Sequence, residues 1–299
     1  MPRSKNLPIS IRRKLDLLYE NFSREEFLRS DPLGALDRTL SWDDLETLSF
    51  VLAGLSYGRV ENIYRSYSTT LARLESLGIG KNGSGLAKWL DTTPPATQKR
   101  LLTKALRGWV HRLNSAADLR AVLMMIGGVR KKYSSLGALF VDTLENSKDS
   151  PNPRQALVTF CSRLDAHALE FSKPPVRKND GSEWKGTGAS WFYASPEQGS
   201  TCKRLVMWLR WMTRKDSIDI GLWSERFPKH AVQKNLFWPV DTHIHQWALR
   251  EGITSRKSVN WAFVEELTTW GQSVCPEDPI RYDFVLCQSG MQAFRKKKI

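Results

Sequence analysis

Two short segments carry residue types suited to acid–base and amine chemistry. In residues 236–250 an apolar approach ends in Pro239-Val240, and a single carboxylate, Asp241, stands where a helix should begin. Asp is a favoured N-cap, and Ile244, Trp247 and Ala248 follow at helical spacing, so Asp241 reads as a helix cap. In residues 199–214, Ser200 or Thr201 can cap a helix whose inner face is Leu205, Trp208, Leu209 and Met212. Lys203 and Arg204 then fall in its first turn, where the helix dipole disfavours cations. Phosphate binding at a helix N-terminus is one reason for cations there. Another is that a lysine destabilised in its charged form is a better amine nucleophile. Ordinary solvated side chains are the third reading.

The elements that must position these residues read as helices nearly throughout. Ile11, Leu15 and Leu18 share one helix face, and Leu45, Leu48, Val51, Leu52 and Leu55 share another, with Ser41 or Asp43 as its cap and Gly58 near its end. Residues 60–77 predict a helix closed by Gly78, and residues 119–126 a buried helix stopped by Gly127-Gly128. Continuous β-branched alternation is almost absent, so the chain reads as all-α. Residues 81–98 and 173–187, rich in Gly, Pro and basic residues, read as loops, and residues 294–299 as a basic tail.

Composition narrows the partners. Among 299 residues Lys plus Arg is 45 and Asp plus Glu is 31, so the formal charge is 45 − 31 = +14. Such a surplus favours a polyanion, nucleic acid first and an anionic membrane surface second. No stretch reaches the roughly eighteen apolar residues of a membrane span, and the N-terminus lacks the apolar run of a signal peptide, so a cytoplasmic, nucleoid-associated setting is expected. Cys161, Cys202, Cys275 and Cys287 are scattered, without disulfide or zinc spacing. His243 and His245 lie two apart and point to different helix faces, so neither a metal site nor a cofactor is expected. Phosphate-loop, dinucleotide-binding and serine-hydrolase motifs are missing.

The segment Pro239-Val240-Asp241-Thr242-His243 resembles the catalytic-aspartate segment of the helix-hairpin-helix DNA glycosylases, such as the endonuclease III-like enzymes. The chain also resembles, over most of its length, a bacterial family of conserved hypothetical proteins similar to a divergent branch of that superfamily. The ordered matches include Asp31-Pro32, Ala53 to Arg59, Cys202-Lys203-Arg204-Leu205, Leu209-Arg210-Trp211-Met212, Asp219 to Trp223, and Tyr282-Asp283-Phe284. The resemblance implies a single two-lobed helical domain over residues 1–299, with a central cleft that grips duplex DNA. It also implies that Lys203 attacks the sugar C1′ of an extruded damaged nucleotide. Asp241 then holds the lysine neutral or offsets the charge developing on the sugar.

In that frame Trp191, Trp223 and Trp238 are candidates to stack on the flipped base, although packing in the core competes for each. Tyr57 and Arg59 are candidates to fill the gap left in the duplex or to grip phosphate, the bland alternative being a helix end with a surface arginine. Arg204 and Arg210 complete the expected DNA-binding set. The usual hairpin of the superfamily is missing, and Pro196 to Ser200 stands in its place. The spacing 241 − 203 = 38 is also about twice that of endonuclease III-like enzymes, with residues 213–235 as the excess. Archaeal 8-oxoguanine glycosylases depart in similar ways, which makes oxidised guanine the best substrate expectation. Endonuclease III-like enzymes often carry a C-terminal four-cysteine iron–sulfur loop, and the four scattered cysteines of this chain could not build one. Lys215, Lys229 and Lys234 are rival amines.

The expectation is therefore a monomeric base-excision glycosylase, with AP-lyase chemistry as an option. Its rivals are a non-enzymatic DNA-binding or damage-sensing protein and an RNA-binding protein. A Lys203–Asp241 separation beyond about 8 Å would favour the non-enzymatic reading, because cooperation needs near hydrogen-bond reach.

Overall fold

The computed structural model describes residues 9–146, 152–169, 171, 188–230 and 233–287, and of residues 9 and 10 the backbone only. It is predominantly helical. In chain order the helices are α1 (Ile9–Glu20), α2 (Arg24–Ser30), α3 (Trp42–Leu55), α4 (Val60–Glu75), α5 (Leu86–Thr92), α6 (Pro95–Ala105), α7 (Ala116–Tyr133), α8 (Leu136–Glu145), α9 (Pro153–Leu169), α10 (Lys203–Thr213), α11 (Leu222–Arg226), α12 (Thr242–Arg250) and α13 (Trp261–Val274). The only sheet among the described residues is the antiparallel pair β1 (Val110–His111) and β2 (Asn114–Ser115), with Val110 opposite Ser115.

Helix α7 is the hub of one half, packing against α5, α6, α8 and α9, while α10 packs on α3 and α11. Gly127-Gly128 does not stop α7, which runs on to Tyr133. The two glycines serve close approach instead: a Cβ at Gly127 would touch Leu90 of α5 at 3.5 Å, and one at Gly128 would lie 3.1 Å from His167 of α9. Packing here outweighs the helix-breaking tendency of about 1 kcal/mol per glycine. The stop comes at Ser134, in left-handed conformation.

Residues 81–98 are likewise not a plain loop. They hold a 3-10 turn and α5, and Pro94-Pro95 opens α6, where proline's missing N–H costs nothing. Asp44 draws this region in by accepting from the Gly85 and Ala87 N–H groups, so it caps α5 from α3. The 173–187 segment and the tail lie outside the described residues.

Glu46 of α3 does the same work for α8. Its carboxylate is fully buried and accepts from Leu136 N, Gly137 N and Trp223 Nε1 at 2.8–2.9 Å. Burial pushes its pKa up against those three donors. One carboxylate therefore fixes α3, α8 and α11 together. The first and last described segments are also joined: Phe22 and Phe27 pack on Phe284, and Tyr282 donates to Asp16 at 2.7 Å. One continuous apolar core runs from Leu15 to Leu286.

Candidate active site

The described residues of 213–235, the excess between the two candidate catalytic residues, fold back on the core. Trp223 packs edge-on against Trp208 of α10 at 5.0 Å and stacks on Phe140 of α8 at 5.5 Å. Trp42 donates to the Leu222 carbonyl at 2.9 Å. With the excursion pinned in this way, the N-termini of α10 and α12 meet.

Lys203 is the first residue of α10. No side chain caps this helix, contrary to the expectation for Ser200 or Thr201. The N-cap is Cys202, at φ 51° in left-handed conformation, a state that costs an L-residue about 1–2 kcal/mol. The preceding turn is a three-residue 3-10 helix, Pro196–Gln198, closed by Gly199 at φ 71°.

Asp241 caps α12 as its sequence context predicts. Its Oδ1 accepts from the N–H groups of His243 and Ile244, both at 2.9 Å. Its Oδ2 receives Lys203 Nζ at 2.7 Å. The lysine is a third exposed and the aspartate largely buried. The separation is far inside the limit set by the sequence analysis. Burial disfavours the Lys203 ammonium, but Asp241, then Cys287 and Asp31, outweigh it and hold the pKa above the ordinary lysine value. Burial likewise opposes the Asp241 carboxylate, and the Lys203 charge with the Lys203 and Ile244 hydrogen bonds brings it below the usual range. The resting pair is ionic.

Both residues line a cavity of about 630 Å³, within the range of sites that hold small ligands. Its walls come from the end of α2 and Asp31-Pro32, from residues 56–63, from α10, from residues 239–244 and from Asp283, Phe284 and Cys287. Sequence reasoning missed Asp31 and Cys287. Burial pushes Asp31 up, against the pull of Arg210 and Lys203, and it pushes the Cys287 thiol up to about 11, against Lys203. The only signal for Asp31 was Asp31-Pro32 itself, a turn dipeptide whose carboxylate accepts from Leu33 N at 2.9 Å.

The other candidates divide. Arg59 is exposed, precedes α4 and lines the cavity rim. Arg204 lies against the other half, donating to the Gly54 carbonyl at 2.8 Å with its guanidinium 4.8 Å from the Tyr57 ring centre. Burial brings its pKa down to about 10. Tyr57 is held in place, its hydroxyl lying 2.9 Å from the His111 carbonyl and 2.6 Å from Asn114 Oδ1, within reach of both acceptors for its one proton, so it is no free wedge.

Arg210 lines the cavity but is buried. It bonds Asp283 at 2.6 Å and Asp219 at 3.3 Å and lies 4.1 Å above the Phe284 ring. Arg214 joins the same network through Asp216, Asp278 and Asp283. This arrangement corrects the expectation of a phosphate contact at Arg210, because its charge is already matched by carboxylates. Trp223 and Trp238 are fully buried core residues, their Nε1 groups donating to Glu46 and to the Pro279 carbonyl. Trp191 is 43% exposed, and like the other two it is not part of the cavity wall. The expected stacking surface is therefore not built from these tryptophans. Lys215 is paired with Glu225, and Lys229 and Lys234 are exposed and away from the cavity.

Among the described residues no group of three or more His, Cys, Asp or Glu could hold a metal ion. Nor is any helix among them long and apolar enough to cross a membrane. A lysine beside a carboxylate, on the wall of a cavity of this size, can form a covalent imine with an aldehyde-level carbon.

The chain matches a family described as a protein of unknown function, DUF2400, over residues 31–292, and it belongs to that family. No curated protein matches it. No solved structure matches it.

Proposed function

We propose that this DUF2400 protein is a DNA glycosylase with AP-lyase capacity, acting on a damaged nucleotide extruded from duplex DNA. The observation that carries the reading is the 2.7 Å contact of Lys203 with Asp241 on the wall of the 630 Å³ cavity. The net charge of +14 suits the polyanionic substrate. In this reading the fold is a divergent helix-hairpin-helix glycosylase fold, with residues 196–202 as a shortened hairpin before α10. Oxidised guanine is the first substrate to try.

The chemistry begins with transfer of the Lys203 proton to Asp241 Oδ2. The neutral amine forms a bond to C1′ as the C1′–N glycosidic bond breaks, and its electron pair leaves with the base, which takes up a proton. Loss of a second amine proton, then cleavage of the C1′–O4′ bond with its electron pair and a proton going to O4′, gives a protonated imine between Nζ and C1′; loss of a C2′ proton then expels the 3′ phosphate and cuts the strand. Asp241 serves as proton acceptor and as the counter-charge for the cationic sugar.

The test is borohydride trapping on duplexes carrying 8-oxoguanine or an abasic site. A covalent adduct lost in Lys203→Ala supports the reading. Tight binding with neither adduct nor base release would leave a DNA-binding protein without this chemistry, and preference for structured RNA at equal salt would redirect the search.

A further inference from the structure

Helix α6 turns one side to the core and a row of cations outward. Leu102 and the following Leu106 are buried, and Gln98 donates to the Leu90 and Thr93 carbonyls at 2.7 and 2.8 Å. The helix packs on α7 and α4. Ala96, Lys99, Arg100, Thr103 and Lys104 make the outer side, with Arg107 just past the helix, and all six are exposed. Arg120 of α7 donates to Thr103 Oγ1 at 2.7 Å and adds a fifth cation. No carboxylate of this stretch answers them. Between Glu75 and Asp118 the sequence holds seven Lys or Arg and a single acid, Asp91, which is bound to Arg130 at 2.8 Å.

Arg12, Arg29 and Arg154, exposed on α1, α2 and α9, each have a carboxylate within 4 Å. Among the described residues Lys99, Arg100, Lys104 and Arg107 have none. Arg100 and Lys104 stand four apart and Lys104 and Arg107 three, so like charges repel along the row. The helix dipole favours cations only in the last turn, which leaves Lys99 and Arg100 without that support. The row therefore works against the helix, and its use lies outside the fold. Its place is fixed. Arg73 of α4 donates to the Ala105 and Arg107 carbonyls at 3.1 and 2.6 Å, and at the other end of α4 Val60, Glu61 and Ile63 line the cavity. From Glu61 to Arg73 the helix rises about 18 Å, or about five base-pair steps of 3.4 Å.

We propose that Lys99, Arg100, Lys104 and Arg107 dock the phosphate backbone of duplex DNA, in a contact blind to the lesion and separate from the cavity. From Lys99 to Arg107 the row runs about 12 Å, the rise of about three to four phosphates on one strand. The proposal rests on the DNA reading above and gives the duplex a second hold about five base pairs from the extruded nucleotide. A membrane-surface helix sets its basic face against an apolar face that enters the lipid. The apolar face of α6 is already committed to the core, so duplex DNA is the better match.

The experiment measures affinity against salt for the full chain, for Arg100→Gln/Lys104→Gln, and for Lys131→Gln/Lys132→Gln, which removes the same charge from exposed positions on α7. Duplexes carry a stable abasic analogue; one is about 30 base pairs long and one reaches only about four base pairs to either side. On the long duplex the salt slope should be shallower by about two for the α6 variant and near the wild-type value for the α7 variant. On the short duplex the three proteins should bind alike. Gln keeps the helix propensity, so the α6 variant should melt no lower than wild type. An unchanged slope in the α6 variant, with Lys203-dependent trapping intact, overturns the docking surface and leaves the glycosylase reading standing. Equal losses in both variants overturn it in favour of net charge alone, as does an equal loss on the short duplex, which would put the contact at the cavity. An α6-dependent slope without adduct or base release keeps the surface and sinks the glycosylase reading. If the protein ignores duplex DNA but binds phosphatidylglycerol vesicles through α6, both fall.

Discussion

Lys203 and Asp241 divide the two oxygens of one carboxylate between structure and chemistry. Oδ1 takes the two backbone N–H groups that start α12, and Oδ2 takes the lysine Nζ at 2.7 Å. The cap fixes the carboxylate's rotamer, so in the proposed reaction the proton acceptor is in place before any substrate arrives.

That division predicts different outcomes at two stages of the reaction. Lys203→Ala should abolish covalent trapping on every substrate while leaving DNA affinity nearly intact, since it removes one charge from +14. Asp241→Asn should slow base release by about 10²–10⁴-fold, the range for a positioned proton acceptor. Imine formation at a preformed abasic site should suffer much less, because without the Asp241 charge the burial of the lysine is opposed only by Cys287 and Asp31 and its ammonium is less favoured. Single-turnover base release and borohydride trapping, run side by side, check the split. Equal losses in both assays would place Asp241 outside the proton transfer.

The cap itself can be isolated. Asn retains an oxygen for the His243 and Ile244 N–H groups, and Ala does not. Both substitutions lose the ion pair, so their difference reports the cap. Asp241→Ala should unfold about 1 kcal/mol more easily than Asp241→Asn, about 2 °C in a chain of this size, as read by thermal melts at pH 7.

The ion pair also sets a pH window. Asp241 is lowered in the folded state, so its contribution is present above its unfolded pKa and is lost as pH falls through the folded value. Lys203 is raised, so its contribution is present below its unfolded pKa and is lost as pH rises through the folded value. The stability difference between wild type and Asp241→Asn should be flat from about pH 4 to pH 10 and shrink outside that range. With ¹³C-methylated lysines, the Lys203 signal should titrate above the other lysines in wild type and below them in Asp241→Asn. A Lys203 signal that titrates with the rest would contradict the pairing.

Local signals were the legible ones. The Asp241 cap and the helices beginning at Trp42 and Val60 follow from neighbours two to four residues away. The contact between Lys203 and Asp241 spans 38 residues, and only the resemblance to a known superfamily pointed to it. Reading tryptophans as base-stacking surfaces failed for Trp223 and Trp238 because an indole that finds an acceptor packs as well inside as out. Gly127 and Gly128 misled for a tertiary reason: neighbouring helices pack onto them, so that a Cβ at Gly128 would crowd His167 at 3.1 Å and one at Gly127 would meet Leu90 at contact distance.

Arginine counting misled in the same way, and Arg59 and Arg210 provide the contrast. Net charge does not say which cations are already spent on carboxylates; Arg210 is, through Asp283 and Asp219, and Arg59 sits exposed at the cavity rim. Arg59→Ala should therefore weaken binding to duplexes of any sequence and reduce the dependence of log affinity on log salt by about one phosphate contact. Arg210→Met should leave that slope unchanged but destabilise the fold by about 3–5 kcal/mol, because it leaves buried Asp219 and Asp283 with only the more distant Arg214, at 3.9 and 3.6 Å, as counter-charge. Salt titrations of affinity together with urea unfolding separate the two roles. A reduced salt slope in Arg210→Met, with stability unchanged, would mean that Arg210 faces DNA and that its carboxylates release it on binding.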